Sequence, residues 1–219
     1  LVSPEVLARV EYYQRALVKQ VQGRAGGSLA RGLLKPLFAL AQANTDAGAD
    51  PVVDNHALLV VLGAYASGRG LSVIAPESVD WPKPRAGTFS LHQRPDLAQH
   101  FLSSGALAVM GGGALSDAVG LLKEVDDSQG GSGFSFTDLA ADRAGTRFGQ
   151  VAVSSQAARL QRAVSSLVSE SELMPATGDL PEGMTAKAFA RRFERVGSPA
   201  YQRVIDTIEG RLNQIALYQ

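Results

Sequence analysis

The chain has 219 residues, 45% of them hydrophobic, and its 21 basic side chains are cancelled by 21 acidic ones. That balance leaves no overall field to draw the protein to nucleic acid or to an anionic membrane, so neither is expected as a partner. With no cysteine there can be no disulfides, thiolate metal sites or thiol nucleophiles, and His56, His92 and His100 are the only imidazoles available for base or metal chemistry.

The length suits one large domain, 1–219, with a substantial core. Ser3 can cap a first helix with Pro4 at its first position, and Val6, Val10, Tyr13, Leu17 and Val21 recur at helical spacing until Gly23. A second helix is expected over Leu29 to Ala43, kinked or divided near Leu34 because Pro36 lacks an amide donor. Asp54 is a candidate cap for a third, Asn55 to Ser67, which ends at Gly68 and Gly70. From Leu71 to Gln93 the prolines 76, 82 and 84, the single Trp81 and a short run at Thr88 to Leu91 that reads as an isolated strand predict a long packed loop or small hairpin, irregular and central in the chain.

Pro95 opens a helix to about Met110, Gly111 to Gly113 turn the chain, and Leu115 to Asp127 predicts another helix. Phe101 to Leu122 approaches membrane-spanning length, but Asp117 and five glycines predict two buried helices rather than a span. Ser135-Phe136-Thr137-Asp138 matches a capping box, and its helix is expected to run on through Gly145 and Gly149 into Val151 to Val168, bending at the glycines. Thr185 and Ser198-Pro199 start two final helices. The fold class predicted is an all-α, single-domain helical bundle with a long irregular central loop.

The unusual polar residues gather between Arg94 and Gly149, a polar core unit (94–149). Asp96 and His100 are four apart and share a face with Ser104, so that the carboxylate can orient or charge the imidazole. Asp117 and Glu124 share one side of the next helix, and Asp138 and Asp142 one side of the third, where Gly145 and Gly149 form a smooth strip for close helix approach. If these faces converge, His100, Glu124 and Asp142 can hold a divalent metal such as zinc, manganese or iron. Without a metal, Glu124 can act as a general acid while Asp138 or Asp142 stays ionised. The catalytic candidates are therefore His100, Glu124, Asp138 and Asp142. Each also has a structural explanation: Asp138 as a cap, Asp142 paired with Arg143 or Arg147, Glu124 as a solvated charge, and His100 as a core histidine bonded to Asp96. His56 reads as a cap-region residue, His92 as an unanchored loop residue, Ser132 lacks the context of a nucleophile elbow, and Arg191, Arg192 and Arg195 read as a solvated helix face.

Three stretches carry a resemblance: Asp96-Leu97-Ala98-Gln99-His100-Phe101, Lys123-Glu124-Val125-Asp126-Asp127, and Phe136-Thr137-Asp138-Leu139-Ala140-Ala141-Asp142 leading to Gly145 and Gly149. Together they resemble the YfiM-like family of periplasmic lipoproteins and, more distantly, the VanZ-like pattern of a histidine helix, an acidic residue and an aspartate helix with spaced glycines. The resemblance implies a bacterial envelope location, periplasmic or outer-membrane-associated; the alternative is the cytoplasm, because the absence of cysteine suits either compartment. The chain starts at Leu1, which fits a processed N-terminus such as a lipid-anchored one. The expected function is a cell-envelope hydrolase acting on a polymer such as peptidoglycan. The alternatives are a noncatalytic envelope scaffold, which would partner an envelope protein, and a protein that binds a small apolar ligand beneath the Trp81 loop.

Overall fold

The computed structural model describes residues 3–23, 26–111 and 133–219. Within them the architecture is helical, with α1 (Pro4–Gln22), α2 (Lys35–Asp46), α3 (Pro51–Ser67), α4 (Pro95–Met110), α5 (Phe136–Ala152), α6 (Ala157–Ser165), α7 (Ala186–Phe193) and α8 (Pro199–Leu212). Two three-residue strands, β1 (Gly26–Ser28) and β2 (Thr88–Ser90), pair in parallel. The strand-like run at 88–91 is therefore not isolated; its partner Gly-Gly-Ser has no strand pattern to read. The helix expected over Leu115 to Asp127, with Asp117 and Glu124 on it, lies outside the described residues.

Local chemistry sets most helix starts. Ser3, Thr185 and Ser198 each accept a hydrogen bond from a first-turn amide, and Gly68 ends α3 at φ 69°, a left-handed conformation that glycine adopts without strain. Pro36 is accommodated by a π-helical turn, Ala30–Leu34, immediately ahead of α2. The expected cap of α3 is corrected. Asp50 fills that role, its Oδ1 accepting from Val52 N at 2.8 Å, because Pro51 is suited to the first helical position.

Asp54 is instead buried one turn inside α3, where Arg9 grips it with Nε and Nη2 at 2.5 and 2.8 Å and the Tyr13 hydroxyl donates to it at 2.8 Å. Asn44 of α2 donates to the same hydroxyl, so one carboxylate joins three helices. Burial and the Asp54 charge both push the Tyr13 hydroxyl far above the ordinary phenol range.

The segment expected as one helix from 136 to 168 is two. The break after Ala152 is held by buried Asn55, whose amide donates to the carbonyls of Ala152 and Ala157 while Gln161 donates to its Oδ1. The bend thus falls beyond Gly145 and Gly149, which serve a different purpose. α4 lies against α5 along these glycines, the most extensive helix contact among the described residues. A Cβ on Gly145 would overlap the Phe101 carbonyl, one on Gly149 would overlap that of Gly105, and the ideal Cβ position of Gly105 is itself 3.3 Å from the Gly145 carbonyl. Phe101, Phe148 and Phe38 close the core beside this seam, with ring centroids 5.3 and 5.5 Å apart.

The central loop is packed, as expected. Trp81 is half-buried against the core, Gln14 donates to the Pro82 carbonyl, and the Tyr65 hydroxyl donates to that of Arg85. At its end, reciprocal hydrogen bonds between Leu91 and Arg94 close a turn in which His92 and Gln93 have φ of 50° and 63°. That turn delivers Arg94 to the start of α4.

Candidate functional site

Close approach of α4 and α5 places three of the four catalytic candidates together. His100 of α4 lies between two carboxylates of α5, its Nδ1 3.1 Å from Asp142 Oδ1 and its Nε2 3.9 Å from Asp138 Oδ2. Ser104, one turn after His100, is buried and donates to the same Asp142 oxygen at 2.7 Å. His100 and both carboxylates keep 20–34% of their side-chain surface exposed, so the cluster is reachable from solvent. Glu124, the fourth candidate, lies outside the described residues.

Asp96 does not orient His100, although its charge is among those that favour the protonated imidazole. It turns back to its own N-cap neighbour, Arg94, whose Nε and Nη2 reach its two oxygens at 3.1 and 2.5 Å. Arg94 also pairs with Glu182 and stands 3.6 Å from Asp138 Oδ1. Asp142 is likewise not paired on its own helix, because Arg143 and Arg147 both bind Glu209 of α8. The capping box is only half formed. Ser135 Oγ accepts from Asp138 N at 3.0 Å, but the Asp138 carboxylate faces His100 and its Oδ1 is buried without a hydrogen bond.

Burial works against a charged His100. The hydrogen bond to Asp142 and the charges of Asp142, Asp138 and Asp96 outweigh it, so the imidazole is held protonated above its ordinary range. Burial raises the Asp138 carboxyl, and the nearby His100 charge only partly offsets this. The two groups thus sit close together, His100 holding its proton more firmly and Asp138 made a stronger base than an ordinary carboxylate, the division of roles an acid–base pair requires.

A pH effect follows from the sign of these shifts. His100 has a higher pKa in the folded chain than in the unfolded one, so its stabilising effect is complete below about pH 6.5 and is lost as pH rises through the folded value; Asp138 acts with the same sign from lower pH. In thermal melts, the advantage of wild type over His100→Gln should be largest near pH 5.5 and shrink steadily above about pH 6.5. A difference independent of pH would show that the shift is absent.

Among the described residues, no three His, Asp or Glu side chains are arranged to hold a metal ion. His100 and Asp142 point at each other rather than at a shared third position. The other two histidines stand apart. His92, expected to be unanchored, is fixed by its amide donating to Glu170 at 2.6 Å and its Nε2 donating to the Met174 carbonyl at 2.9 Å. His56 is half-buried in α3 with Nε2 unpartnered, and burial lowers its pKa. Arg191, Arg192 and Arg195 are exposed, as expected, and Ser132 lies outside the described residues.

No protein family, no curated protein and no solved structure matches the chain. Sequence reasoning missed Arg94 and Glu182 as members of the cluster. Arg94 was legible only as the residue before a helix-starting proline, and Glu182 reaches the site from a loop distant in the chain.

A cleft of about 630 Å³ opens between α6 and the segment after α8, with Leu167, Ile215 and Leu217 among its walls and Arg159 and Arg211 beside it. It is remote in sequence from the Trp81 loop beneath which an apolar ligand was expected. Its arginines are engaged, Arg211 by Asp179 and Arg159 by the carbonyls of Ala216, Leu217 and Gln219. No helix among the described residues is long and apolar enough to cross a membrane.

Proposed function

We propose that the protein is a hydrolase of the bacterial cell envelope in which His100 and Asp138 form the acid–base pair, with a polymer such as peptidoglycan as substrate. The observation that supports this is the partly exposed imidazole held between two carboxylates, with both His100 and Asp138 shifted toward protonation. In the proposed reaction the Asp138 carboxylate takes a proton from water as its oxygen attacks the scissile centre, and protonated His100 gives its Nε2 proton to the leaving oxygen. One water is consumed. The proton then held by Asp138 returns to His100 Nε2, 3.9 Å away, restoring both groups.

Asp96, Asp138, Asp142 and Glu182 outnumber Arg94 and His100 around the cluster, which favours a neutral or cationic region of substrate over a phosphate-rich one. The envelope assignment, with attachment through an N-terminal lipid, rests on the resemblance to YfiM-like lipoproteins. A metal-assisted version with His100, Glu124 and Asp142 as ligands is less favoured, because the direct His100–Asp142 contact occupies the nitrogen that faces the carboxylate.

The test is release of soluble fragments from purified peptidoglycan. Wild type should release them, and His100→Ala and Asp138→Asn should each lower the rate by about 10²–10⁴-fold while remaining folded. Equal release by wild type and His100→Ala would overturn the assignment. A second reading, a noncatalytic scaffold, is supported by the same contacts acting as ties, since Asp142 joins α5 to α4 and Glu182 joins its loop to Arg94. Under that reading wild type releases nothing and His100→Ala only melts earlier.

A further inference from the structure

We infer that Ser104 is a positioning residue, which anchors Asp142 so that His100 carries its proton on Nδ1 and presents Nε2, on the Asp138 side, as the nitrogen that exchanges protons. Its functional meaning rests on the acid–base reading above, but the arrangement itself can be observed without a substrate.

Asp142 Oδ1 is met by two groups from α4, the Ser104 hydroxyl at 2.7 Å and His100 Nδ1 at 3.1 Å. A carboxylate offers lone pairs only, so the ring nitrogen facing it supplies the proton, and the neutral ring is then left with its lone pair on Nε2. Nε2 lies 3.9 Å from Asp138 Oδ2, too far for a hydrogen bond, and so has no bond to that carboxylate holding it in place.

Three features keep Asp142 on this task. Ser104 is buried with its hydroxyl directed at that oxygen, which restricts the carboxylate to one orientation. The arginines that follow Asp142 on α5 are committed to Glu209 and do not compete for it. Gly145, one turn after Asp142, brings the α5 backbone against the Phe101 carbonyl next to His100, which sets the reach between the helices. Free histidine in water prefers the opposite tautomer, so the contact must reverse an intrinsic preference. His92 supplies an internal contrast, because its Nε2 donates to the Met174 carbonyl and must carry the proton.

The experiment is a long-range proton–nitrogen correlation spectrum of the nitrogen-labelled chain above the titration of His100, with the three imidazoles assigned by His→Gln variants. Wild-type His100 should show a pyrrole-type Nδ1 and a pyridine-type Nε2 in roughly tenfold excess, the size expected of a hydrogen bond to a charged group, while His92 shows the reverse. Ser104→Ala should reduce the His100 excess several-fold with His92 unchanged, and Ser104→Thr, which keeps a hydroxyl, should retain it. If Ser104→Ala fails to fold, Asp142→Ala should lose the same excess. A wild-type His100 protonated on Nε2, or a tautomer ratio indifferent to the loss of Ser104 or Asp142, overturns the inference. A correct tautomer in a protein that hydrolyses nothing would instead remove the proposed activity and leave the positioning intact.

Discussion

Replacing Gly145 by valine should lower the melting temperature by roughly 6–12 °C, or prevent folding, because it forces apart the helix pair on which the candidate site is built. Even a single Cβ at this position overlaps the Phe101 carbonyl, which is backbone and cannot swing aside as a flexible side chain would. Relief requires α4 and α5 to separate, which opens the packing of Phe101 against Phe148 and draws Asp142 away from His100. Overpacking of this kind costs about 3 kcal/mol or more, and each kcal/mol is worth roughly 2–4 °C in a chain of this size. Gly210 provides the control. It lies within α8 with open space around its Cβ position, so Gly210→Ala should be neutral or stabilise by about 0.4–1 kcal/mol. Thermal denaturation of the two variants decides the matter; equal melting temperatures would mean that the glycine seam does not constrain the helices.

The second large effect is expected at Asp54→Ala, on α3 rather than on the α4–α5 pair that carries the candidate site. Removing this buried carboxylate leaves the Arg9 guanidinium and the Tyr13 hydroxyl without their common acceptor, at the junction of α1 and α3. Breaking a buried pair costs about 3–5 kcal/mol, and the lower end applies because Arg9 keeps 27% of its side-chain surface exposed and can recover some hydration. A fall in melting temperature of roughly 6–12 °C is expected. A shift below about 2 °C would show that solvent replaces the lost partner. Tyr13→Phe tests the same junction more gently and should cost about 1–1.5 kcal/mol, since Asn44 then loses its acceptor as well.

These two sites show how differently the residues could be read from sequence. Asp54 stands just before an apolar run and looks like a cap, yet the proline three residues earlier moves the helix start to Asp50 and turns Asp54 inward. Nothing local announces Arg9 as its partner, 45 residues away. Gly145 and Gly149, by contrast, were legible as a smooth strip because their spacing puts both on one face of a helix, and a face without side chains invites close packing.

Helix content, most helix boundaries and the grouping of polar residues between Arg94 and Gly149 were determined by the sequence itself, because caps, prolines and apolar periodicity act through near neighbours in the chain. Pairing was decided only by the tertiary structure. His100 and Asp96 share a helical face, but Arg94 beside Pro95 captures Asp96 through a bidentate contact, and the close approach of α5 offers His100 two other carboxylates. Arg143 and Arg147 likewise leave Asp142 for Glu209 because α8 packs there. Periodicity assigns a side chain to a face, whereas its partner depends on which helix is laid against that face and at what distance, and here the missing side chains of two glycines set that distance.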